Sequence, residues 1–143
     1  GGEQVMIYLQ GDAVGGFVSD DSGDDIPYEL FSFSAFWQTG DWKSLTELSL
    51  NRTDRGEFNE AAYQYLGYQF HPDWTAYLLF DMVNVSNAEI HFESGRESRY
   101  GIGFEYTLGI GASIKTEFRR RDDHRGDMDM CSNELQVQLS LGF

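Results

Sequence analysis

The stretch Glu134–Phe143, ELQVQLSLGF, decides how this chain folds. Leu135, Val137, Leu139, Leu141 and Phe143 fall on one side of an extended strand, and Glu134, Gln136, Gln138, Ser140 and Gly142 fall on the other. Such a strand asks for two environments at once, one apolar and one that offers water or hydrogen-bond partners. A half-buried strand of a soluble sandwich shows the same alternation. The aromatic residue on which this strand ends sets it apart, because chain ends usually fray into water.

Working outward, the same two-residue period recurs along the chain. Val5, Ile7 and Leu9 alternate with Gln4, Met6, Tyr8, Gln10 and Asp12, in a strand that ends near Val18. A second strand, about Tyr28–Gln38, sets Phe31, Phe33, Ala35 and Trp37 against Ser32, Ser34 and Gln38, and a third, Trp42–Asn51, sets Trp42, Thr46, Leu48 and Leu50 against Lys43, Glu47 and Asn51. In the fourth, about Asn59–Phe70, Tyr63 and Tyr65 compete with Leu66, Tyr68 and Phe70 for the apolar side; the expectation is that Tyr63 and Tyr65 face outward and Gln64 inward. Strand five, Trp74 to about Val85, puts Trp74, Ala76, Leu78, Phe80 and Met82 opposite Thr75, Tyr77 and Asp81. Strand six alternates Tyr100, Ile102, Phe104, Tyr106 and Leu108 with Arg99, Gly101, Gly103 and Glu105, and strand seven alternates Ala112, Ile114, Thr116 and Phe118 with Lys115, Glu117, Arg119 and Arg121.

Between these strands the connections alternate in length. Thr39–Asp41, His71–Asp73 and Gly109–Gly111 are tight, whereas Ser19–Asp25, Thr53–Glu57, Ser86–Ser98 and Asp122–Ser132 are longer and polar. With the closing strand the candidates number eight, an even count that lets the first and last strands pair. The expected fold is therefore all-β: one domain, residues 1–143, forming an antiparallel up-and-down transmembrane β-barrel of eight strands. Trp37, Trp42 and Trp74 sit beside the short turns, where an interfacial aromatic girdle would lie. The short turns would then be periplasmic and the acidic loops extracellular.

Composition narrows the function. The net charge is −14, from 24 Asp and Glu against 10 Lys and Arg, which argues against nucleic acid as a partner, since phosphate binding needs a basic surface. Phe (11), Tyr (8) and Trp (3) are abundant beside only 2 Pro, a mix that favours strands. No run of about 18 apolar residues occurs, which excludes a transmembrane helix but not a barrel. The lone Cys131 cannot form an internal disulfide. The opening Gly-Gly-Glu, without an initiator Met, reads as a mature or trimmed form.

A soluble eight-stranded ligand-binding barrel would alternate in the same way with its apolar side inward. The number of rings weighs against it, because Phe, Trp or Tyr stands on the apolar side of nearly every strand and a small barrel interior has little room for them. The side chains expected to face lipid are Phe31, Phe33, Trp37, Trp74, Phe80, Tyr100, Phe104, Tyr106, Phe118, Leu139 and Phe143. Those expected to face the lumen are Asp12, Lys43, Glu47, Asp81, Arg99, Glu105, Lys115, Glu117, Arg119 and Glu134.

The terminal strand, together with Glu60–Phe70, Pro72, Trp74 and Tyr77, Arg99–Tyr106 and Ala112–Arg120, resembles the carboxyl-terminal half of Gram-negative outer-membrane porins. The likeness runs over roughly residues 30–143 and departs from the family in length, since porins have about 16 strands. It implies residence in the bacterial outer membrane and passive passage of small solutes and ions. The partners it implies are the lipid bilayer, lipopolysaccharide, the barrel-assembly machinery acting through the closing strand, and other chains of a larger assembly. The alternative is a closed small barrel with a structural or adhesion role, in which the inward charges form a salt-bridged core instead of lining a channel.

No enzyme and no cofactor is expected. Asp20, Asp21, Asp24 and Asp25, and Asp122, Asp123, Asp127 and Asp129, supply hard oxygen ligands but not the spacing of a calcium loop. They read as solvated loops, and no metal site is assigned. His71, His91 and His124 fall in three different connections and do not form a ligand set. Cys131 lies in an acidic loop that disfavours its thiolate, and no serine stands beside a histidine base.

Overall fold

The computed structural model describes residues 5–19, 25–53, 56–86, 94–109, 111–126 and 129–141. They form eight strands: β1 (Val5–Ser19), β2 (Asp25–Thr39), β3 (Trp42–Thr53), β4 (Phe58–His71), β5 (Trp74–Val85), β6 (Gly95–Gly109), β7 (Ala112–Arg125) and β8 (Met130–Leu141). Each pairs antiparallel with its sequence neighbour, giving a single eight-stranded up-and-down sheet in the order β1 to β8. The sheet does not close: β1 and β8 are its two edges and make no contact with each other.

Register keeps the two sides in phase across the sheet. One row of directly paired residues runs Gly11, Phe33, Leu48, Ala62, Met82, Ser98, Asp122 and Cys131, and the row two residues nearer the short turns runs Leu9, Ala35, Thr46, Gln64, Phe80, Tyr100, Arg120 and Asn133. A shift of one residue at any seam would carry every later side chain to the opposite side. The two irregularities in register, between Gln69 and His71 and between Thr107 and Gly109, lie at short turns and leave the rows intact.

The charged side of the sheet is concave. Lys43 Nζ on β3 stands 3.9 Å from Glu105 Oε2 on β6, with β4 and β5 between them. Strands are spaced about 4.8 Å apart, so the two side chains meet on a diagonal over three spacings, which a flat sheet would hold out of reach. Glycines give the curl its room. Tyr77 lies across Gly103, where an added Cβ would come within 2.4 Å of its ring, and Glu117 lies across Gly101. Tyr77 is thereby only 4% exposed, the aromatic covering of a strand glycine that pins a curved sheet.

Several strands are longer than the sequence pattern suggests. Arg96–Ser98 belong to β6, Asp122–Arg125 to β7 and Met130–Ser132 to β8, all of which lie in segments that read as polar loop. Their polar groups are held by cross-strand pairing. His71 closes β4 and His124 lies in β7, so neither is in a connection, while His91, Asp20, Asp21, Asp24 and Asp127 lie outside the described residues.

Tyr63, Tyr65 and Gln64 stand opposite to expectation. Tyr63 pairs with Glu47 and Asp81 on the charged side, while Gln64 pairs with Thr46 and Phe80 on the ring-bearing side. Gln64 tolerates that side because its amide is satisfied there. Thr46 Oγ1 donates to its Oε1 at 2.5 Å, and its Nε2 donates to Ser44 Oγ at 2.8 Å and to the Tyr65 carbonyl at 3.0 Å. Tyr65 instead stacks on Tyr77 at 5.3 Å between ring centres, with the Lys43 ammonium 5.6 Å above its ring.

Gly103→Ala is expected to lower stability by about 1–3 kcal/mol, the cost of forcing a methyl group into packed atoms. In the Tyr77→Ala background it should cost far less, so a double-mutant cycle of denaturation midpoints should show coupling of about 1 kcal/mol or more. Additive losses would mean that the ring does not rest on Gly103.

Candidate functional site

The candidate site is the concave wall, and alternation along β1 to β8 places its side chains. Asp12, Lys43, Glu47, Asp81, Arg99, Glu105, Lys115, Glu117, Arg119 and Glu134 all stand on that side. Phe31, Phe33, Trp37, Trp74, Phe80, Tyr100, Phe104, Tyr106, Phe118 and Leu139 all stand on the convex side; Phe143 lies outside the described residues. Trp42 packs on Tyr68 and Trp74 on Tyr106, each pair with ring centres 4.7 Å apart. Both pairs lie at the short-turn end of the convex side, beside Trp37.

Burial on the two sides is inverted relative to a soluble sheet. On the convex side Ile102 is 52% exposed and Phe104 48%, whereas on the concave side Glu97, Glu117 and Asp123 are buried. Buried carboxylates need partners, and each has them. Glu97 accepts Arg99 at 2.6 Å and Arg121 at 3.0 Å, and also pairs with Arg125. Asp123 accepts Arg121 at 2.8 Å and Arg125 at 2.9 Å. Arg99 also reaches Asp81 at 3.6 Å. Nearer the short turns Glu117 is held by Arg119 and by the Tyr77 hydroxyl, which donates at 3.1 Å, while Glu105 lies between Lys43 and Lys115 at 3.9 and 3.8 Å.

The network on Glu97 and Asp123 is the part that sequence reading missed. Arg96–Glu97 and Asp122–Arg125 are dense in charge and resemble solvated loop. The available signal was sign, since acids and arginines alternate at two-residue spacing in Glu97–Arg99 and Arg121–Asp123–Arg125, which puts both signs on one side of adjoining strands.

The wall is not neutral throughout. Beside the paired region lies a hollow of about 270 Å³ lined by Ser32, Ser34, Glu47, Ser49, Tyr63 and Asp81. Glu47, in this hollow, holds no ion pair among the described residues. Directly paired residues therefore run from acidic Glu47 and Asp81 on β3 and β5 to basic Arg99 and Arg121 on β6 and β7. Fixed charges of both signs along one wall can attract and orient hydrated ions and polar solutes.

Among the described residues no group of three His, Cys, Asp or Glu side chains is arranged to hold a metal ion. Cys131 is exposed on β8, in register with Asp122. His124 Nδ1 lies 2.9 Å from Asp129 Oδ1, an exposed pair near the β7–β8 connection.

No family model, no curated protein and no solved structure matches this chain. Its class is therefore the one its own geometry defines: an all-β, eight-stranded antiparallel meander, curled with its charges inside the curve and its rings outside.

Glu97→Gln removes the carboxylate shared by three guanidinium groups and should destabilise the protein by about 2 kcal/mol, less than a fully buried pair because the arginines keep contact with water. Arg120→Gln, which removes only an exposed pair with Asp122, should leave the denaturation midpoint where it was. Equal shifts for the two variants would contradict a special role for Glu97.

Proposed function

We propose that this chain forms the wall of a transmembrane β-barrel in the bacterial outer membrane, of porin type, through which small solutes and ions pass passively. The observation that carries the reading is the inverted polarity of a curved sheet, with rings exposed on the convex side and charged groups gathered on the concave one. In water, exposed rings on that scale are a liability. Against hydrocarbon they are the stable arrangement, and the polar concave side then borders a water-filled lumen.

Trp37, Trp42, Tyr68, Trp74 and Tyr106 supply one interfacial girdle, and the outer rim, with Arg96, Arg120 and His124 pointing outward, meets lipid or lipopolysaccharide headgroups. The carboxyl-terminal strand is the segment the barrel-assembly machinery would engage. The lumen charges set ion preference, and Glu47, which holds no ion pair among the described residues, lines the hollow of the wall.

A closed eight-stranded barrel with a structural or adhesion role is the second reading, and the crowding of Tyr77, Glu117 and Arg119 between β5 and β7 favours it. A soluble ligand-binding barrel is the least favoured, since its apolar side would have to be the concave one.

Purified protein folded into planar bilayers should give stepwise, ohmic current, and Glu47→Gln should shift the reversal potential in a salt gradient towards anions. Absence of current would refute the channel. Phe104→Arg should weaken membrane folding by about 2–4 kcal/mol, measured as partitioning into lipid vesicles, whereas Glu105→Gln on the opposite side should leave partitioning intact. Stability of the wild-type chain in detergent-free buffer would refute both membrane readings.

A further inference from the structure

The apolar band on the convex side does not follow the register of the sheet. Its outer limit, the last apolar side chain before the polar ones, is Phe31 on β2 and Leu50 on β3, which are direct partners. The row through them continues as Glu60, Asn84, Arg96 and His124, all polar. On β4 and β5 the limit has moved to the paired Ala62 and Met82, whose row turns polar at Ser98 and Asp122. On β6 it is Tyr100, which pairs with Arg120. On β7 and β8 it is the paired Phe118 and Leu135, and their row leads back through Ile102, Leu78, Leu66 and Ser44 to Trp37 on β2. The limit thus moves from the level of Phe31 to that of Trp37, six residues along a strand, while crossing the six seams from β2 to β8.

The limit at the other end moves in the same direction. The outermost tryptophan of β2 is Trp37, and Trp42 with its partner Tyr68 lies one row nearer the short turns. Trp74 with its partner Tyr106 lies one row nearer still, since Tyr68 pairs with Ala76. Both limits are therefore slanted alike, and the band between them keeps its height. Ser44, Thr46 and Gln64, which fall inside the band, bond one another and present no unmet donor to an apolar medium.

We infer that the convex side is bounded by two planes oblique to the strands, those of a lipid bilayer, so that residues in register with each other stand at different depths. The inference rests on the transmembrane reading above and adds the orientation of the wall. A slip of one residue per seam, with about 3.3 Å per residue and about 4.8 Å between strands, is a slope of about 35°. Strands of membrane barrels tilt by about 35–45°. Two parallel limits carried across seven strands of a curved surface are the mark of a slab. A protein partner would have to wrap round the curve to leave them, and a fluid bilayer does so without being shaped for it. The outer corner of β6 and β7, with Arg96, Arg120 and His124, then stands in the headgroup layer, while Phe31 and Ala35, their register mates on β2, stand in hydrocarbon.

Depth-dependent quenching tests the slant. In a Cys131→Ser background, Phe31→Cys, Phe118→Cys and His124→Cys are made singly, labelled with a nitrobenzoxadiazole dye and folded into phosphatidylcholine vesicles. Labels at positions 31 and 118 should emit at shorter wavelength, be quenched by phospholipid carrying a nitroxide on its acyl chain and be protected from iodide. The label at 124, in register with 31, should emit at longer wavelength and be quenched by iodide. A second pair of register mates, Ala35→Cys and Arg120→Cys, repeats the comparison if one of the first variants does not fold. Lipid quenching that is equal for register mates would overturn the oblique boundary and leave the membrane reading standing. Lipid quenching at none of the positions would overturn both.

Discussion

A β-strand has two sides, and everything in this molecule depends on keeping them in phase across seven consecutive pairings. Antiparallel register transmits side identity from β1 to β8, so that Phe33, Leu48, Ala62 and Met82 share a side while Ser34, Glu47, Tyr63 and Asp81 share the other. Backbone hydrogen bonds supply the cohesion and turn geometry sets the register. Neither tolerates a slip of one residue, because such a slip would bury charges among rings.

Curvature then makes the two sides unequal. Bending the sheet towards its charged side shortens the distances there, and the same shortening that brings Lys43 to Glu105 lets Tyr77 reach Glu117 over a glycine. Like charges crowded on the inside of a curve would oppose the bend. The alternation of sign along Glu97, Arg99, Arg121, Asp123 and Arg125 turns that repulsion into attraction, so the ion pairs and the curvature support each other. Rings on the outside pair across the seams, as Trp42 does with Tyr68, and stay exposed.

The inverted placement of burial links architecture to the proposed activity. A sheet whose concave side is polar and whose convex side is apolar suits a hydrocarbon exterior and a wet interior. The paired region near Glu97 and Asp123 stiffens the wall. The hollow beside Glu47, Tyr63 and Asp81 is where the concave wall keeps room next to acidic charge. Stiffness and access thus occupy different strands of one surface.

Much of this was legible in the sequence. The two-residue period determined the strands, their number, the short turns and the side taken by every charged residue named for the lumen, because side-chain direction in a strand follows from parity alone. Where polarity failed to alternate, at Tyr63, Gln64 and Tyr65, parity had no purchase, and only the hydroxyls of Thr46 and Ser44 across the seam decided which side could hold an amide. The ends of β6, β7 and β8 were hidden for a related reason, since a charged segment reads as solvated until its counter-ions, which lie on neighbouring strands, are known. Tertiary structure alone decided which way the sheet curls and that its edges stay apart, because both follow from side chains that meet across strands at distances no local pattern encodes.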